Sequence, residues 1–516
     1  MNLLKTLATI SGMTMLSRIT GLMRDVLINS YFGASGWTDA YFAAMRIPNF
    51  FRRLFAEGAF SQAFVPILAE YKNKKGDQAT RELVDHVATV LVWALLFTCL
   101  IGVAGAPIFV YMFASGFAVN PAKFEITVVM TRIMFPYIGF ISLVALASGI
   151  LNTWREFRVP AFTPVLLNLS SIAASLFLAP HMAQPIYALA IAVFVGGMLQ
   201  MLIQVPALIK IGMLPHLSLN PMFALRDPGV LRVLRQMGPA VLAVSATQIS
   251  ILINSTWASH MPDGSMSWLA SADRLMEFPT ALLGVALGTV LLPSLSKANA
   301  EADTAEYSSL LDWGLRLTCL LAMPAAVALA TLPEALTATL FHNGKFDAHA
   351  VAMTAQAVTS YGVGLIGLIF VKILAPGFYA KQDIRTPVKI AILVLLATQV
   401  MNLMFVPFIQ HAGLALSVGL GACLNASMLY RGLRQRGIYA PQAGWLPFLL
   451  KLAAALTLMA GVALALSGQV DWIGLKSQKW MRAGLLGGII LACMLSYFLA
   501  LFAMGFRIRD FRKTSI

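Results

Sequence analysis

Eight arginine and acidic residues lie between positions 18 and 57 of a chain that is otherwise strongly apolar. A charged side chain in hydrocarbon costs several kcal/mol, so such residues are expected to face a water-filled cavity or a charged ligand inside a helix bundle. They are the best indication of function in the chain. The eight are Arg18, Arg24, Asp25, Asp39, Arg46, Arg52, Arg53 and Glu57.

Arginine suits the binding of a phosphate or diphosphate, because its planar guanidinium donates two parallel hydrogen bonds and stays charged. The neighbouring carboxylates would hold the arginines in position. On a helix turning about 100° per residue, Arg18 and Asp25 point in directions roughly 20° apart, while Arg24 points about 120° away. We therefore expect Arg18 and Asp25 to share a face of the first helix.

Charges at helical spacing recur on the second and eighth predicted helices. On the second helix, Arg46, Arg53 and Glu57 form one stripe, and Arg52 points elsewhere. Three helices are thus expected to bring arginines toward one cavity. The alternative is a set of structural ion pairs, but arginines outnumber acids on the first two helices. The eighth helix carries its charges at i+3 and i+4 spacing, at Asp273, Arg274 and Glu277.

The composition of the chain that carries these residues is that of a membrane protein. Hydrophobic residues make up 59% of the chain and charged residues 11%, and the mean hydropathy is +0.78. A soluble domain would have a charged fraction of about 25%. The net charge of +15 comes from single Lys and Arg residues between apolar spans, with no long basic face, so no nucleic-acid partner is expected.

Hydropathy and turn signals predict fourteen membrane-spanning helices. An even number places both termini on the same side. One set of connections carries most of the Lys and Arg residues, which places that side and both termini in the cytoplasm. The predicted helices lie near 5–32, 40–69, 83–114, 125–153, 160–179, 185–213, 229–259, 267–297, 307–340, 349–380, 386–409, 412–435, 444–468 and 481–506.

An internal repeat indicates how the helices are organised. Residues Glu156, Arg158 and Pro160 precede the fifth helix, and a matching Asp383, Arg385 and Pro387 precede the eleventh at a shift of 227 (383 − 156). The second and eighth helices match at nearly the same shift, which indicates duplication of a six-helix unit. Because six is even, the two copies run in the same direction through the membrane.

The predicted fold class is therefore an all-α integral membrane protein. It has about fourteen transmembrane helices, arranged as two parallel six-helix repeats around a central cationic cavity, plus two extra C-terminal helices. The predicted division is 1–215 for the N-terminal lobe, 228–437 for the C-terminal lobe, and 444–506 for the additional helices, which are expected to form a lipid-tail groove.

Other functions leave signatures that the sequence lacks. No histidine or cysteine spacing is typical of a metal site, and no P-loop, hydrolase or dinucleotide motif is present, so no catalytic residue, metal or cofactor is expected. A cation-coupled drug antiporter would have an acid-dominated cavity. A polyprenyl-phosphate glycosyltransferase or phosphatase would need paired carboxylates or a His/Arg set at the membrane surface. A scaffold for envelope assembly would tolerate Arg274→Ala.

Four stretches of the chain resemble the MurJ (MviN) lipid II flippases of the multidrug/oligosaccharidyl-lipid/polysaccharide exporter superfamily. The resemblance covers essentially the whole chain, and its motifs are long and in order. The stretches are SRITGLMRD (17–25), RIPNFFRRLFAEGA (46–59), ADRLMEFP (272–279) and APGFYAKQD (375–383).

The resemblance implies a substrate and a set of site residues. The substrate would be lipid II, which is undecaprenyl diphosphate bearing the peptidoglycan disaccharide-pentapeptide, moved from the cytoplasmic to the periplasmic leaflet by alternating access for cell wall synthesis. Another polyprenyl-linked oligosaccharide or a drug is the alternative substrate within the superfamily. Arg18, Arg24, Arg52 and Arg274 resemble the cavity arginines. Further functional or gating positions would be Asp25, Asp39, Arg53, Glu57, Ser267, Asp273 and Glu277.

The same resemblance sets the expected location and partners. The chain would be a multi-pass protein of the bacterial cytoplasmic (inner) membrane, with lipid II and the phospholipid bilayer as partners and with contacts to cell-wall synthesis enzymes left open. Some family members use a sodium ion between the seventh and eleventh helices. Here Gln248, Asn254 and Asn402 offer no carboxylate, so the energy source stays open.

Overall fold

The computed structural model describes residues 3–54, 60–281 and 286–507. Nearly all of these residues are helical, and no β-strand occurs within those three ranges. The predicted all-α membrane fold is confirmed. In chain order the α-helices are α1 (Leu3–Phe32), α2 (Gly36–Phe51), α3 (Ser61–Lys74), α4 (Gly76–Ala104), α5 (Ala106–Ala114), α6 (Pro121–Met134), α7 (Tyr137–Thr153), α8 (Arg158–Ala173), α9 (Tyr187–Leu202), α10 (Val205–Lys210), α11 (Pro221–Leu225), α12 (Pro228–Ser259), α13 (Ser265–Pro279), α14 (Ala286–Ala300), α15 (Thr304–Thr331), α16 (Pro333–Phe341), α17 (Ala348–Leu374), α18 (Pro376–Tyr379), α19 (Arg385–Gln435), α20 (Trp445–Ser467) and α21 (Lys479–Ala503).

Short helical turns of other types join some of these helices. A π-helical turn continues α8, and 3₁₀ turns follow α5, precede α9 and precede α21. They are Ala174–Leu178 (π) and Ser115–Val119, Ala179–His181 and Gly474–Ser477 (3₁₀).

Within the described ranges, nine continuous helical segments are long and apolar enough to cross a membrane. Some of these segments combine two of the helices named above, as α6 and α7 do over Pro121–Thr153. The chain is a multi-pass membrane protein, as predicted. These nine account for ten of the predicted spans, because α19 covers two of them. The other four predicted spans correspond to α1, to α2 with α3, to α12, and to α13 with α14. Three of these four hold the charged residues singled out in the sequence.

Proline divides several predicted spans into two helices. The predicted span 83–114 ends as α4 and restarts as α5 after Gly105, where Pro107 stands in the first turn of α5. Pro136 separates α6 from α7, and Pro376 begins α18. Proline has no N–H and its ring clashes with the preceding turn, so each of these sites ends one helix and starts the next.

The predicted connection between residues 409 and 412 is a break inside α19. Ile409 (φ −126°) and Gln410 (φ +46°) are not helical, and the positive φ of Gln410 is a conformation that non-glycine residues rarely adopt. The chain also turns back tightly there, since a Cβ on Gly413 would lie 2.9 Å from the carbonyl carbon of Phe405. α19 is therefore two membrane helices joined by a two-residue turn.

Acidic side chains cap the starts of long helices. Asp227 accepts hydrogen bonds from the backbone N–H groups of Gly229 and Val230 at the start of α12. Asp303 and Asp347 do the same for α15 and α17. These caps satisfy N–H groups that have no partner within the helix.

A hydrogen-bonded loop precedes α19. The carboxylate of Asp383 accepts from Thr386 N at 3.1 Å and pairs with Arg436. Hydrogen bonding from Thr386, followed by Arg436, lowers the pKa of Asp383 to about 2. Asp383 is therefore ionised at neutral pH and fixes the start of this helix.

The chain forms two compact units, Met1–Met266 and Ser267–Ile516. In the first unit α1 packs along α8, and α12 packs against α3 and α5. In the second unit α17 packs against α15 and α19. There a Cβ on Gly364 would lie 2.0 Å from the Cα of Gly419, so two glycines allow the backbones of α17 and α19 to touch.

Helix positions in the two halves support the predicted duplication. The first residues of α4, α5, α6 and α8 precede those of α15, α16, α17 and α19 by 228 (304 − 76), 227 (333 − 106), 227 (348 − 121) and 227 (385 − 158). The two compact units meet at residues 266 and 267, which is not the boundary between the two predicted repeats. The predicted lobes 1–215 and 228–437, and the extra helices 444–506, therefore stay a prediction.

Candidate functional site

Arg24 lies at the centre of a polar cluster in the first unit. Its Nε and Nη2 both donate to Oδ1 of Asp25, at 2.9 and 2.7 Å, and its Nη1 donates to Oδ1 of Asn168 at 3.1 Å. About a fifth of the Arg24 side chain is exposed (20%). We call Arg24, Asp25 and Asn168 the Arg24 clamp. Its guanidinium is fixed on two sides, and the side chain remains partly exposed.

Asn168 connects α8 to α1. Its Nδ2 donates to the backbone oxygen of Ser17 at 3.0 Å and to Oγ1 of Thr20 at 3.1 Å. Its Oδ1 accepts from Arg24, so both ends of the amide are used. A buried amide with every group hydrogen-bonded fixes both its own orientation and that of its partner.

The pairing of Arg24 with Asp25 differs from the angular expectation. The two residues are adjacent on α1, so their side chains leave the helix about 100° apart. The long arginine side chain nevertheless bends back to reach the carboxylate. Arg18 is exposed and makes no hydrogen bond or ion pair with the residues the structure describes. The expected shared face of Arg18 and Asp25 is therefore not used for a contact between them.

The arginines that follow α2 are placed less tightly. Nε of Arg52 donates to Oδ1 of Asn49 at 3.1 Å, and Arg52 is partly buried. Arg53 is exposed. Glu57, predicted to share a stripe with Arg53, lies outside the described residues. Arg46 is half-buried on α2.

Asp39 belongs to a second charged cluster of the first unit. Asp39 is 2% exposed, and its Oδ2 accepts from Gly264 N at 2.7 Å. Nζ of Lys123 lies 2.6 Å from Oδ1 of Asp263, 3.8 Å from Oδ2 of Asp39 and 3.9 Å from the centre of the Phe117 ring. We call Asp39, Lys123 and Asp263 the Asp39 lock, because it holds the starts of α2 and α6 to the segment that follows α12.

The remaining predicted site residues lie in the second unit, on α13. Ser267 is fully buried, and Asp273 is partly buried. Nη1 of Arg274 lies 3.5 Å from Oε2 of Glu277, and these side chains are 31% and 58% exposed. The i+3 pair predicted from the spacing of Arg274 and Glu277 is therefore present.

An apolar groove of about 450 Å³ runs through the second unit between α15, α17, α19 and α20. Its walls are mostly aliphatic and aromatic, with two thiols and a few hydroxyl groups. α20 contributes to it and α21 does not. Its lining includes Leu315, Cys319, Phe370, Cys423, Trp445 and Leu449.

The groups in these sites are suited to binding a ligand. A partly exposed guanidinium held by a carboxylate and an amide can donate hydrogen bonds to a phosphate oxygen without first being ordered. An apolar groove can hold an acyl or prenyl chain. Among the described residues, no three His, Cys, Asp or Glu side chains are close enough together to hold a metal ion.

Sequence reasoning missed Asn168 and Lys123. Asn168 was a polar residue in an apolar span, which is itself a signal, since unpaired amides are costly there. Lys123 is not among the residues predicted from the sequence. Its partners Asp39 and Asp263 lie 84 and 140 residues away in sequence, so no local spacing could identify the lock.

Comparison with known proteins identifies the family. A family model described as lipid II flippase MurJ matches residues 28–480. A lipid II flippase MurJ of Burkholderia cenocepacia is 57% identical over 513 residues, covering 99% of each chain. A probable lipid II flippase MurJ of Vibrio cholerae is 39% identical over 521 residues, covering 99% of this chain and 98% of the relative.

Solved structures share the fold. A lipid II flippase MurJ in an inward closed conformation aligns with a TM-score of 0.79 at 22% identity, covering 96% of this chain and 99% of that one. An inward-facing multidrug resistance MATE family transporter of the MOP superfamily aligns with a TM-score of 0.66 at 13% identity, over 83% and 98%. From the family model and these near full-length relatives, we conclude that the chain belongs to the lipid II flippase MurJ family of membrane transporters.

Proposed function

We propose that this protein moves lipid II from the cytoplasmic to the periplasmic leaflet of the bacterial inner membrane. The observation that carries the proposal is the 57% identity, over 99% of both chains, to a relative named as a lipid II flippase. A diphosphate with a sugar-peptide headgroup cannot cross hydrocarbon unaided, whereas its prenyl tail can stay in lipid. A transporter for it needs cations for the headgroup and an apolar path for the tail.

The Arg24 clamp supports the first requirement. Its guanidinium is already oriented for binding an oxyanion, because Asp25 and Asn168 hold it in place. A diphosphate would compete with Asp25 for the same donors, so binding would loosen the ion pair. In this proposal Arg18, Arg24, Arg52 and Arg274 bind the diphosphate.

The remaining predicted positions would control access. The Asp39 lock joins three segments of the first unit through a buried lysine, as a closed gate requires. In this proposal the gating residues are Asp25, Asp39, Arg53, Glu57, Ser267, Asp273 and Glu277.

The groove of the second unit supports the second requirement. Its apolar lining and its volume of about 450 Å³ suit several prenyl units of the tail. The proposal places the tail there while the headgroup crosses, with both termini of the protein in the cytoplasm. Alternating access of two lobes would move the headgroup.

The test is the leaflet exposure of lipid II in cells depleted of the native protein. A probe restricted to the periplasm measures exposure in cells complemented with wild type, Arg24→Ala, Arg52→Ala or Arg274→Ala. Arg434→Ala is the matched control, since Arg434 is an exposed arginine at the end of α19.

The proposal predicts that exposure collapses in depleted cells and in the three site variants, while total lipid II is kept or rises. Membrane levels of each variant are measured alongside, to separate transport from folding. Unchanged exposure on depletion would mean that another molecule is transported. Full activity of all three variants would show that these arginines are not needed to bind the diphosphate.

A further inference from the structure

A second cavity, of about 220 Å³, lies in the second unit where α15 and α20 meet the end of α21. Two basic and several aromatic side chains form its walls. None of its lining residues in the described part of the chain is acidic. The residues used below are Trp313, Arg316, Phe448, Lys451 and Phe506.

Arg316 is fixed against the wall of this cavity. Its Nε donates to Oδ2 of Asp312 at 2.8 Å, and its Nη2 donates to the backbone oxygen of Ala443 at 2.9 Å. Oδ1 of Asp312 accepts from Tyr439 and Trp445, each at 2.7 Å. Because Asp312 is buried with both oxygens in use, its charge is enclosed while the guanidinium lines the cavity.

Lys451 supplies a second cation. It is exposed on α20, and its Nζ lies 5.6 Å from the centre of the Phe506 ring. No carboxylate of the described residues lies within ion-pair distance of it. The cavity therefore has more positive than negative charge, and aromatic faces beside the positive groups.

The surface beside the cavity is apolar and faces outward. Leu446 and Leu450 on α20 and Phe502 on α21 are among the most exposed large side chains of the unit. Leu450 precedes Lys451 in α20, and Phe502 lies in the last turn of α21, four residues before Phe506 in sequence. In a membrane protein such side chains contact acyl chains, so the two cations lie beside hydrocarbon.

We propose that this cavity binds the phosphate headgroup of one anionic phospholipid. Basic pockets between membrane helices are suited to such headgroups. A cavity of roughly 150 Å³ holds benzene, so 220 Å³ accommodates a phosphate and its ester linkage. The acyl chains would lie on the exposed apolar side chains of α20 and α21.

The cavity is separate from the groove assigned to the transported lipid. Trp445 and Leu449 of α20 line the groove, whereas Phe448 and Lys451 line the cavity. The two pairs point roughly 110° apart around the helix. A lipid bound here would attach α20 and α21 to α15, which makes the proposal independent of what the protein transports.

The experiment is equilibrium binding of phosphatidylglycerol to the full-length protein in detergent, measured by native mass spectrometry. Lys451→Gln should weaken binding about fivefold, since one basic residue at a membrane surface contributes that much, and Lys451→Glu should weaken it further. Lys479→Gln is the control, because Lys479 is an exposed lysine at the opposite end of α21. It should bind like wild type.

Three further probes separate the sources of the phosphate. Zwitterionic phosphatidylcholine should bind more weakly than phosphatidylglycerol and respond little to Lys451→Gln. Inorganic phosphate should not displace the bound lipid, and undecaprenyl diphosphate should bind equally to wild type and Lys451→Gln. Equal phosphatidylglycerol affinity in wild type and both Lys451 variants would overturn the proposal. So would displacement by inorganic phosphate, or a loss confined to undecaprenyl diphosphate.

Discussion

The two charged clusters of the first unit each place one cation beside an aspartate, but they differ in how deeply the cation is buried. In the Arg24 clamp the cation is one-fifth exposed and its partners are a carboxylate and an amide. In the Asp39 lock the cation, Lys123, is 5% exposed and lies between two carboxylates. The first side chain is partly exposed, and the second is buried.

Under the function proposed above, burial rather than charge separates a cation that binds substrate from one that holds helices together. An exposed guanidinium can exchange its carboxylate for a phosphate oxygen at little cost. A covered ammonium that loses its carboxylates leaves an uncompensated buried charge. Substitutions in the clamp should therefore reduce transport with little loss of stability, whereas substitutions in the lock should first of all lower stability.

The largest effect is expected for Lys123→Met. It leaves buried Asp39 without its cation, which should lower stability by about 3–5 kcal/mol. Thermal unfolding of the detergent-solubilised protein measures the change. Lys479→Met, at an exposed position, should unfold like wild type. Equal stability of Lys123→Met and wild type would show that the lock does not hold the unit together.

The second-largest effect is expected for Arg24→Lys, which should slow transport. A lysine keeps the charge but cannot donate at once to Asp25 and Asn168 with a planar fork. Loss of a charged hydrogen bond of about 1.5–3 kcal/mol corresponds to a ten- to hundredfold slower appearance of lipid II in the periplasmic leaflet. The melting temperature should stay near that of wild type, as should transport by Arg434→Lys. If Arg24→Lys transported lipid II as fast as wild type, the positive charge at this position would be sufficient and the hydrogen bonds of the guanidinium would not be needed.

Asn168→Ala should have a smaller effect in the same direction. It removes one hydrogen bond to Arg24, worth about 0.5–1.5 kcal/mol, so transport should fall about three- to tenfold. Because both changes act on one guanidinium, Arg24→Lys with Asn168→Ala should be little worse than Arg24→Lys alone.

The control for this cycle is Ser170→Ala, on the same helix, where the hydroxyl donates to the backbone oxygen of Ala192. It should transport normally. Full additivity of the two clamp substitutions would mean that Asn168 acts through helix packing rather than through Arg24.

Asp263→Asn should have the smallest effect. The side chain of Asp263 is 64% exposed, and Asp39 still lies 3.8 Å from Lys123. Exposed ion pairs contribute less than about 1 kcal/mol, so the melting temperature should fall only slightly, and less at high salt. A loss as large as that of Lys123→Met would place the main partner of Lys123 at Asp263 instead of Asp39.

Much of the fold could be predicted from local sequence, because membrane spans and their breaks have local causes. The turn at Ile409 and Gln410 falls where the eleventh and twelfth helices were predicted to separate. The division of 83–114 into α4 and α5 was not predicted, although Pro107 marks it. Hydropathy detects the apolar run and is insensitive to a single proline within it.

The site was predictable in residue type and less so in partners. Arg24, Asp25 and Asp39 stood out because charge in an apolar chain is rare. The partners of Arg24 and Asp39 include Asn168 and Lys123, which come from helices distant in sequence. Helical angles also fail for arginine, since its side chain is long enough to turn back on its own neighbour, as it does to Asp25.

The groove of the second unit has a practical consequence through its two thiols. Cys319 and Cys423 both line it, and the other cysteines, Cys99 and Cys493, do not. A maleimide carried on a prenyl-like chain would be concentrated beside these sulfur atoms by the same apolar burial that we propose for a lipid tail. The groove thus contains two native thiols whose labelling can report on its contents, with no introduced residue.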